Sequence, residues 1–213
     1  MNNKNNAEII FAVHFNKEIV NEGHSYWYDI TNLTDESGQA EALVNCFTPG
    51  DTRKEMITYV KAENKAYLMT KFLDTKNVSF NQVGNDQILL RYADVLLMYA
   101  EALNELGYDA SEGSIALKQL NATRTRAGLT KLTAADVPTQ ESFRKAILDE
   151  RQKEFPYEGH RWFDLVRMGY AKSVLATQGL NIQDYQLLFP IPQTEIEKVG
   201  DSKILWQNPG YDK

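Results

Sequence analysis

Glu150, Glu154 and Glu158 recur every four residues, and Asp164 follows them. On a helix, carboxyls at i and i+4 share a face and can reach the ~5 Å separation that a retaining glycosidase uses. That chemistry also requires an environment that pushes the two pKa values apart. Here the same stretch is crowded with Arg124, Arg126, Arg151, Arg161 and Arg167, which would keep every carboxylate ionised. The pattern therefore reads first as structural ion pairing, with Arg91, Asp94, Glu101, Glu150, Glu154, Arg161, Asp164 and Arg167 as its core. A glycosidase using Glu154 and Glu158 ranks last among the functional readings. No G-x-S-x-G motif marks a nucleophile, and His14, His24 and His160 are too scattered to give metal-ligand spacing. Cys46 is the single cysteine, so an internal disulfide and a cysteine-based zinc site are both excluded. The expectation is a protein that is not an enzyme, with no metal and no cofactor.

A second group with chemical potential is His24-Ser25-Tyr26-Trp27-Tyr28-Asp29, the densest aromatic cluster in the chain. It admits two readings. The rings of Tyr26, Trp27 and Tyr28 either pin a loop to the core, or form a platform on which the C–H face of a sugar packs while Asp29 bonds its hydroxyls. Net charge narrows the ligand class. At −6 over 213 residues the chain carries no basic excess of the kind nucleic-acid binding requires.

These groups must be held by a scaffold, and the periodicity predicts one. Residues 8–15 alternate as a strand, with His14 a satisfied interior or edge histidine. Residues 16–50 are rich in Asn, Gly, Asp and Thr and read as a long irregular segment. A helix from Glu55 to Ala66 leads into an extended 67–72. The stretch Gln87–Gly107, QILLRYADVLLMYAEALNELG, has no Pro and a closing Gly, and predicts one helix with Asp86 as its N-cap. Its charged residues fall on a narrow strip, so the helix should be buried over most of its girth. Helices near 112–126, 140–155 (capped by Thr139) and 158–168 follow, and the remainder reads as irregular apart from a single turn at Thr194. The 87–107 helix and the 112–126 helix, the latter with the small face Ala116, Leu120, Thr123 and Ala127, resemble a hairpin of tetratricopeptide type, which needs stacked neighbours to bury its faces.

Several stretches in order resemble the SusD/RagB family. They are RYADVLLMYAEA from Arg91, NATRTRAGL from Asn121, Glu150-Arg151 with Glu154, and EGHRWFDLVR from Glu158. Pro190-Ile191-Pro192 with Glu195-Ile196, and QNPGY from Gln207, complete the set. The resemblance is specific over 86–211, moderate over 51–72 and weak before residue 50. It implies the C-terminal half of a SusD-like fold. That fold is mainly α, with a tetratricopeptide-like helical hairpin core, long irregular loops and a little β structure. Within it, residues 1–85 form a variable, loop-rich ligand side and residues 86–213 a helical signature region. It also implies a non-catalytic, glycan- or nutrient-binding surface lipoprotein at the outer membrane of Bacteroidota, whose partners are a SusC-like TonB-dependent transporter and an oligo- or polysaccharide.

Family members are about twice this long. Their export signal, lipidated cysteine and most repeat helices lie in an N-terminal half without counterpart here, so membrane association would come only through that absent anchor. Taken alone, the N-terminus would read as cytoplasmic; taken as part of a longer protein, it is silent on export. A helical-repeat fragment that only docks to protein is the alternative reading.

Overall fold

The computed structural model describes residues 6–16, 18–19, 22–23, 39–61, 66–69, 71, 84–109 and 111–211. They form two compact units, residues 1–161 and 162–213.

The first unit is built on three helices. Those helices are α2 (Tyr92–Leu106), α3 (Ile115–Arg126) and α4 (Gln140–Glu154), preceded by the short α1 (Gln39–Asn45). Cross-links fix the directions of the three. Asn104 and Gln140 exchange side-chain to backbone hydrogen bonds of 3.2 and 2.7 Å, while Asp94 accepts from Arg151 at 2.7 Å, so α2 and α4 run antiparallel. Arg124 faces Glu150 and Arg126 faces Glu154, so α3 runs parallel to α4. Leu97, Ala100, Leu120, Phe143 and Ile147 close the core between them, all buried. Ser114 caps α3 through Leu117 N, and Thr139 and Ser142 form a reciprocal box at the start of α4. Each cap satisfies an N–H that the first turn leaves unpaired.

Two short antiparallel sheets flank the helices. Strand β1 (Ile9–Val13) pairs with β4 (Gln87–Arg91), and β2 (Ile57–Lys61) pairs with β3 (Ala66–Met69) as a ribbon. The sequence reading is corrected at both sheets. Residues 87–91 are strand, not the first turns of the central helix, because β1 offers them a ladder from far away in sequence. Asp86 is consequently not a helix cap. It accepts from Phe15 N at 3.2 Å and pairs with the exposed His14 ring at 2.7 Å, fastening the far end of β1. The helix expected over 55–66 is a 3₁₀ turn, Thr52–Met56, followed by the ribbon.

Helix α2 is also less enclosed than its composition suggests. Ala93, Asp94, Leu97, Ala100 and Asn104 are buried, whereas Tyr92, Val95, Tyr99 and Leu106 are exposed. Among the described residues, α3 and α4 lie against one side of α2 and leave the other open.

The second unit carries the remainder of α5 (Arg161–Arg167), α6 (Ala171–Thr177), a 3₁₀ turn at Asp184–Leu187 and α7 (Gln193–Val199). It is thus more helical than expected: α7 is a seven-residue helix rather than one turn at Thr194. Gln207 clasps the backbone of Ile191 from both sides at 2.8 Å, and Asn208 donates to Phe189 O at 2.8 Å. Tyr185 and Tyr211 meet edge-to-face, with ring centroids 5.0 Å apart. A Cβ on Gly210 would overlap the Tyr185 ring, which explains the glycine of the QNPGY stretch.

Gly128, the glycine of NATRTRAGL, is needed for a similar reason. Its φ is +80°, and a Cβ would stand 3.1 Å from Gly50 O and 3.3 Å from Thr52 Cγ2. Here the chain entering the 3₁₀ turn is laid against the end of α3, with Thr52 N and Oγ1 both donating to Ala127 O. Gly128→Ala is expected to cost on the order of 1–3 kcal/mol through left-handed strain and crowding. Urea unfolding followed by far-ultraviolet circular dichroism measures it, and an unchanged midpoint would show that this junction yields freely.

Candidate functional site

The chemically dense region is the carboxylate face at the end of α4. Phe143, Ile147, Glu150 and Glu154 share one stripe of the helix, and all are buried. An ionised carboxylate there is tolerable only with partners, and the structure supplies them from distant segments. Arg53 makes a bidentate contact with Asp51 at 2.9 and 2.8 Å. Its Nη1 reaches Glu150 at 2.8 Å and Glu154 at 3.0 Å. Burial opposes the Arg53 charge, but bonds to Asp51 and Glu150 outweigh it and hold the guanidinium above its usual range.

Arg91, the last residue of β4, is engaged still more completely. It forks onto Glu158 at 2.7 and 3.0 Å, and bonds the Glu154 carboxylate at 2.7 Å and its backbone oxygen at 2.7 Å. It also reaches Glu8 at 3.2 Å, while its guanidinium carbon lies 4.4 Å from the Phe155 ring centroid. Arg151 approaches the same ring at 4.9 Å, so Phe155 provides π density to two cations. Glu8 has a further role: its carboxylate accepts from Ala93 N at 3.1 Å and its backbone oxygen from Tyr92 N at 2.8 Å, satisfying the first turn of α2.

Lys71, just after β3, donates to Glu154 O and Glu158 Oε1, both at 2.6 Å. Burial pulls its ammonium below the ordinary lysine value, against the pull of Glu158. Arg126 also bonds Glu154. Burial alone would raise the Glu154 pKa, yet Arg91, Arg126 and Lys71 together bring it down to about 2. A carboxyl so placed stays ionised near neutrality and cannot donate a proton as a glycosidase acid must. The cluster fastens chain segments together.

Of the other residues expected in an ion-pair core, Asp94 meets Arg151, and Arg161 donates to Leu148 O at 3.0 Å. Asp164 and Arg167 pair with each other at 2.7 Å in the second unit. Glu101 is half-buried on α2. Sequence reasoning missed Glu8, Asp51, Arg53 and Lys71 as members, since each reaches the cluster from far outside the helical region. Tyr26, Trp27, Tyr28 and Asp29 lie outside the described residues.

Cys46 is half-buried, and burial pushes its thiol up to about 11 despite nearby Lys153 and Arg161, which makes it a poor nucleophile. Among the described residues, no group of His, Cys, Asp and Glu is placed to hold a metal ion, and no helix is long and apolar enough to cross a membrane.

The model of the SusD family matches residues 53–211, from the clustered Arg53 to Tyr211. The chain belongs to the SusD family. SusD-like protein P2 of Formosa agariphila is 36% identical over 140 residues, which is 60% of this chain and 26% of that protein. The starch-binding protein SusD of Bacteroides thetaiotaomicron is 31% identical over 147 residues, 65% of this chain and 24% of that one. Among solved structures, surface glycan-binding protein A of Bacteroides fluxus superposes with a TM-score of 0.73 at 27% identity, over 96% of this chain and 51% of that chain. Surface glycan-binding protein A of Bacteroides thetaiotaomicron, in complex with laminarihexaose, gives 0.71 at 23% identity over 94% and 52%, a likeness of fold. The matches therefore span about a quarter of the curated relatives and about half of the solved chains. The fold is the helical, tetratricopeptide-like one of SusD structures, corresponding to half of it, as the resemblance implied.

Glu154 gives this assembly a measurable signature. Glu154→Gln leaves Arg91 and Arg53 short of a buried counter-charge and is expected to cost about 3–5 kcal/mol in urea unfolding. The acid response carries a sign. Glu154 titrates near 4.3 in the unfolded chain and at about 2 in the fold, so its contribution is complete above that unfolded value. It is lost as pH falls toward the folded value. Stability of the unmutated chain should drop through that window by up to about 3 kcal/mol more than that of the Gln variant; parallel pH profiles would contradict this.

Proposed function

We propose that this chain is a glycan-capturing, non-catalytic portion of a surface nutrient-binding protein that serves an outer-membrane uptake system. The observation that carries the reading is its membership in the SusD family, supported by relatives described as starch-binding and as surface glycan-binding. A solved SusD-like relative is described as laminarin binding, with 27% identity over 99% of this chain. The absence of catalysis is supported by Glu154, which Arg91 and Arg126 keep ionised. In this proposal the captured oligo- or polysaccharide passes to a SusC-like TonB-dependent transporter at the cell surface. Tyr26, Trp27 and Tyr28 stack on sugar rings, and Asp29 bonds their hydroxyls.

Affinity electrophoresis of the purified chain in native gels containing laminarin, starch or other plant and host polysaccharides tests this directly. Retardation in at least one gel is expected, with the mobility shift lost in Trp27→Ala. A folded, soluble chain that runs unretarded in every gel would overturn capture by this portion of the protein. Retardation unchanged by Trp27→Ala would remove the 26–29 cluster from the site.

A further inference from the structure

We infer that the open flank of α2 pairs with the same flank of a second copy of the chain, the two helices running antiparallel. The inference concerns assembly and is independent of glycan capture. The exposed residues of α2 include Tyr92, Val95, Tyr99, Ala102 and Leu106. Their spacing is three, four, three and four, which is the seam of a coiled coil rather than the broader stripe of a helix laid on a core. Leu97 and Asn104, both fully buried, stand on the opposite side of the same helix. Helix α2 therefore packs one face against α3 and α4 and presents a complete heptad seam on the other. Tyr92 is 50% exposed, Tyr99 45% and Leu106 87%. Apolar residues exposed in a continuous row, rather than singly, mark an interaction surface.

Two features of the seam select a second copy as its occupant. The first is shape. Antiparallel pairing about an axis between Ala100 and Glu101 sets Tyr99 against the partner's Ala102, and Val95 against the partner's Leu106. Each copy supplies both members of each contact, so the interface is isologous and closes as a pair. A bulky ring then meets a small residue at the centre, as interdigitated packing requires. Parallel pairing would instead set Tyr99 on the partner's Tyr99 and Ala102 on the partner's Ala102, crowding one layer and leaving a gap in the next. The second feature is charge. The positions that border the seam are Leu96, Met98, Leu103 and Glu105. In the antiparallel arrangement Leu96 lies beside the partner's Leu103, and Glu105 beside the partner's Met98, so no like charges are brought together. Glu105 is already neutralised within its own copy, where Arg144 forks onto it at 2.8 and 2.6 Å. The seam is only about 21 Å long, which puts the contact at the small end of specific interfaces and its affinity at about the micromolar level.

Sedimentation velocity on the full chain, from ~1 to ~100 μM, tests the pairing. The expected result is a monomer that converts to a dimer across that range. Leu106→Glu should abolish the dimer by placing a carboxylate in the seam. Ala102→Leu separates the register from general stickiness. Leucine makes the surface more apolar yet crowds the partner's Tyr99, so association should weaken about tenfold. Exchanging the two residues, Tyr99→Ala with Ala102→Tyr, restores large against small and should recover the dimer. All three positions are exposed, and an unchanged far-ultraviolet circular dichroism spectrum verifies the fold of each variant. A chain that is monomeric at every concentration would overturn the pairing and make a helix of another protein the occupant of the flank. A dimer indifferent to Leu106→Glu, or assemblies larger than two, would overturn it as well. Undiminished association of Ala102→Leu, or an exchange variant that stays monomeric, would overturn the antiparallel register.

Discussion

An ionised carboxylate cannot be buried without a partner, and α4 buries two of them, Glu150 and Glu154, on its core-facing stripe. Segments that flank the three helices supply the partners. Arg53 arrives from the turn before the ribbon, Lys71 from the residue after it, Arg91 from the end of β4, and Arg126 from the end of α3. Because each cation belongs to a different segment, satisfying the carboxylates and docking the segments are one event. Hydrophobic replacements of the same volume can match such clusters in stability. What the charges add is directionality: a guanidinium with every N–H engaged, as at Arg91, admits one arrangement of β4, α4 and the Glu158 turn.

How much of this is legible in the amino-acid order depends on the range of the interaction involved. The cap at Thr139, the buried stripes of α3 and α4, and the need for Glu150 and Glu154 to find arginines are local patterns, and they read correctly from spacing. Residues 87–91 do not. QILLR has good helical composition, and only β1, more than seventy residues earlier, makes it a strand. Arg53 and Lys71 are invisible as cluster members for the same reason: the α4 carboxylates they meet lie more than eighty residues away in sequence. The exposed flank of α2 shows the opposite error, since a helix rich in Tyr, Val and Leu suggests burial all round, whereas among the described residues α3 and α4 lie against one side of it and Tyr92, Val95 and Tyr99 stay exposed. The glycines at 128 and 210 fall between these cases. Their motifs are recognisable, but the reasons, Gly50 and Thr52 for one and Tyr185 for the other, are contacts across the fold.

The same division separates fold from ligand. The stretches that carry the family signature, from RYADVLLMYAEA to QNPGY, build helices, caps and clasps. They account for membership in the SusD family and for superposition on SusD-like structures.

Arg53 and the α4 carboxylates act as one unit joining the chain before the ribbon to the helical core. A double-mutant cycle on Arg53→Met and Glu150→Leu, read by urea unfolding, addresses it most directly. Each single change should cost several kcal/mol, and the pair together should cost at least ~1.5 kcal/mol less than the two added, because the second change relieves the unpaired charge left by the first. Losses that add to within ~0.5 kcal/mol would mean that the two residues act independently. The cluster would then be a set of separate contacts rather than the constraint that holds the fold.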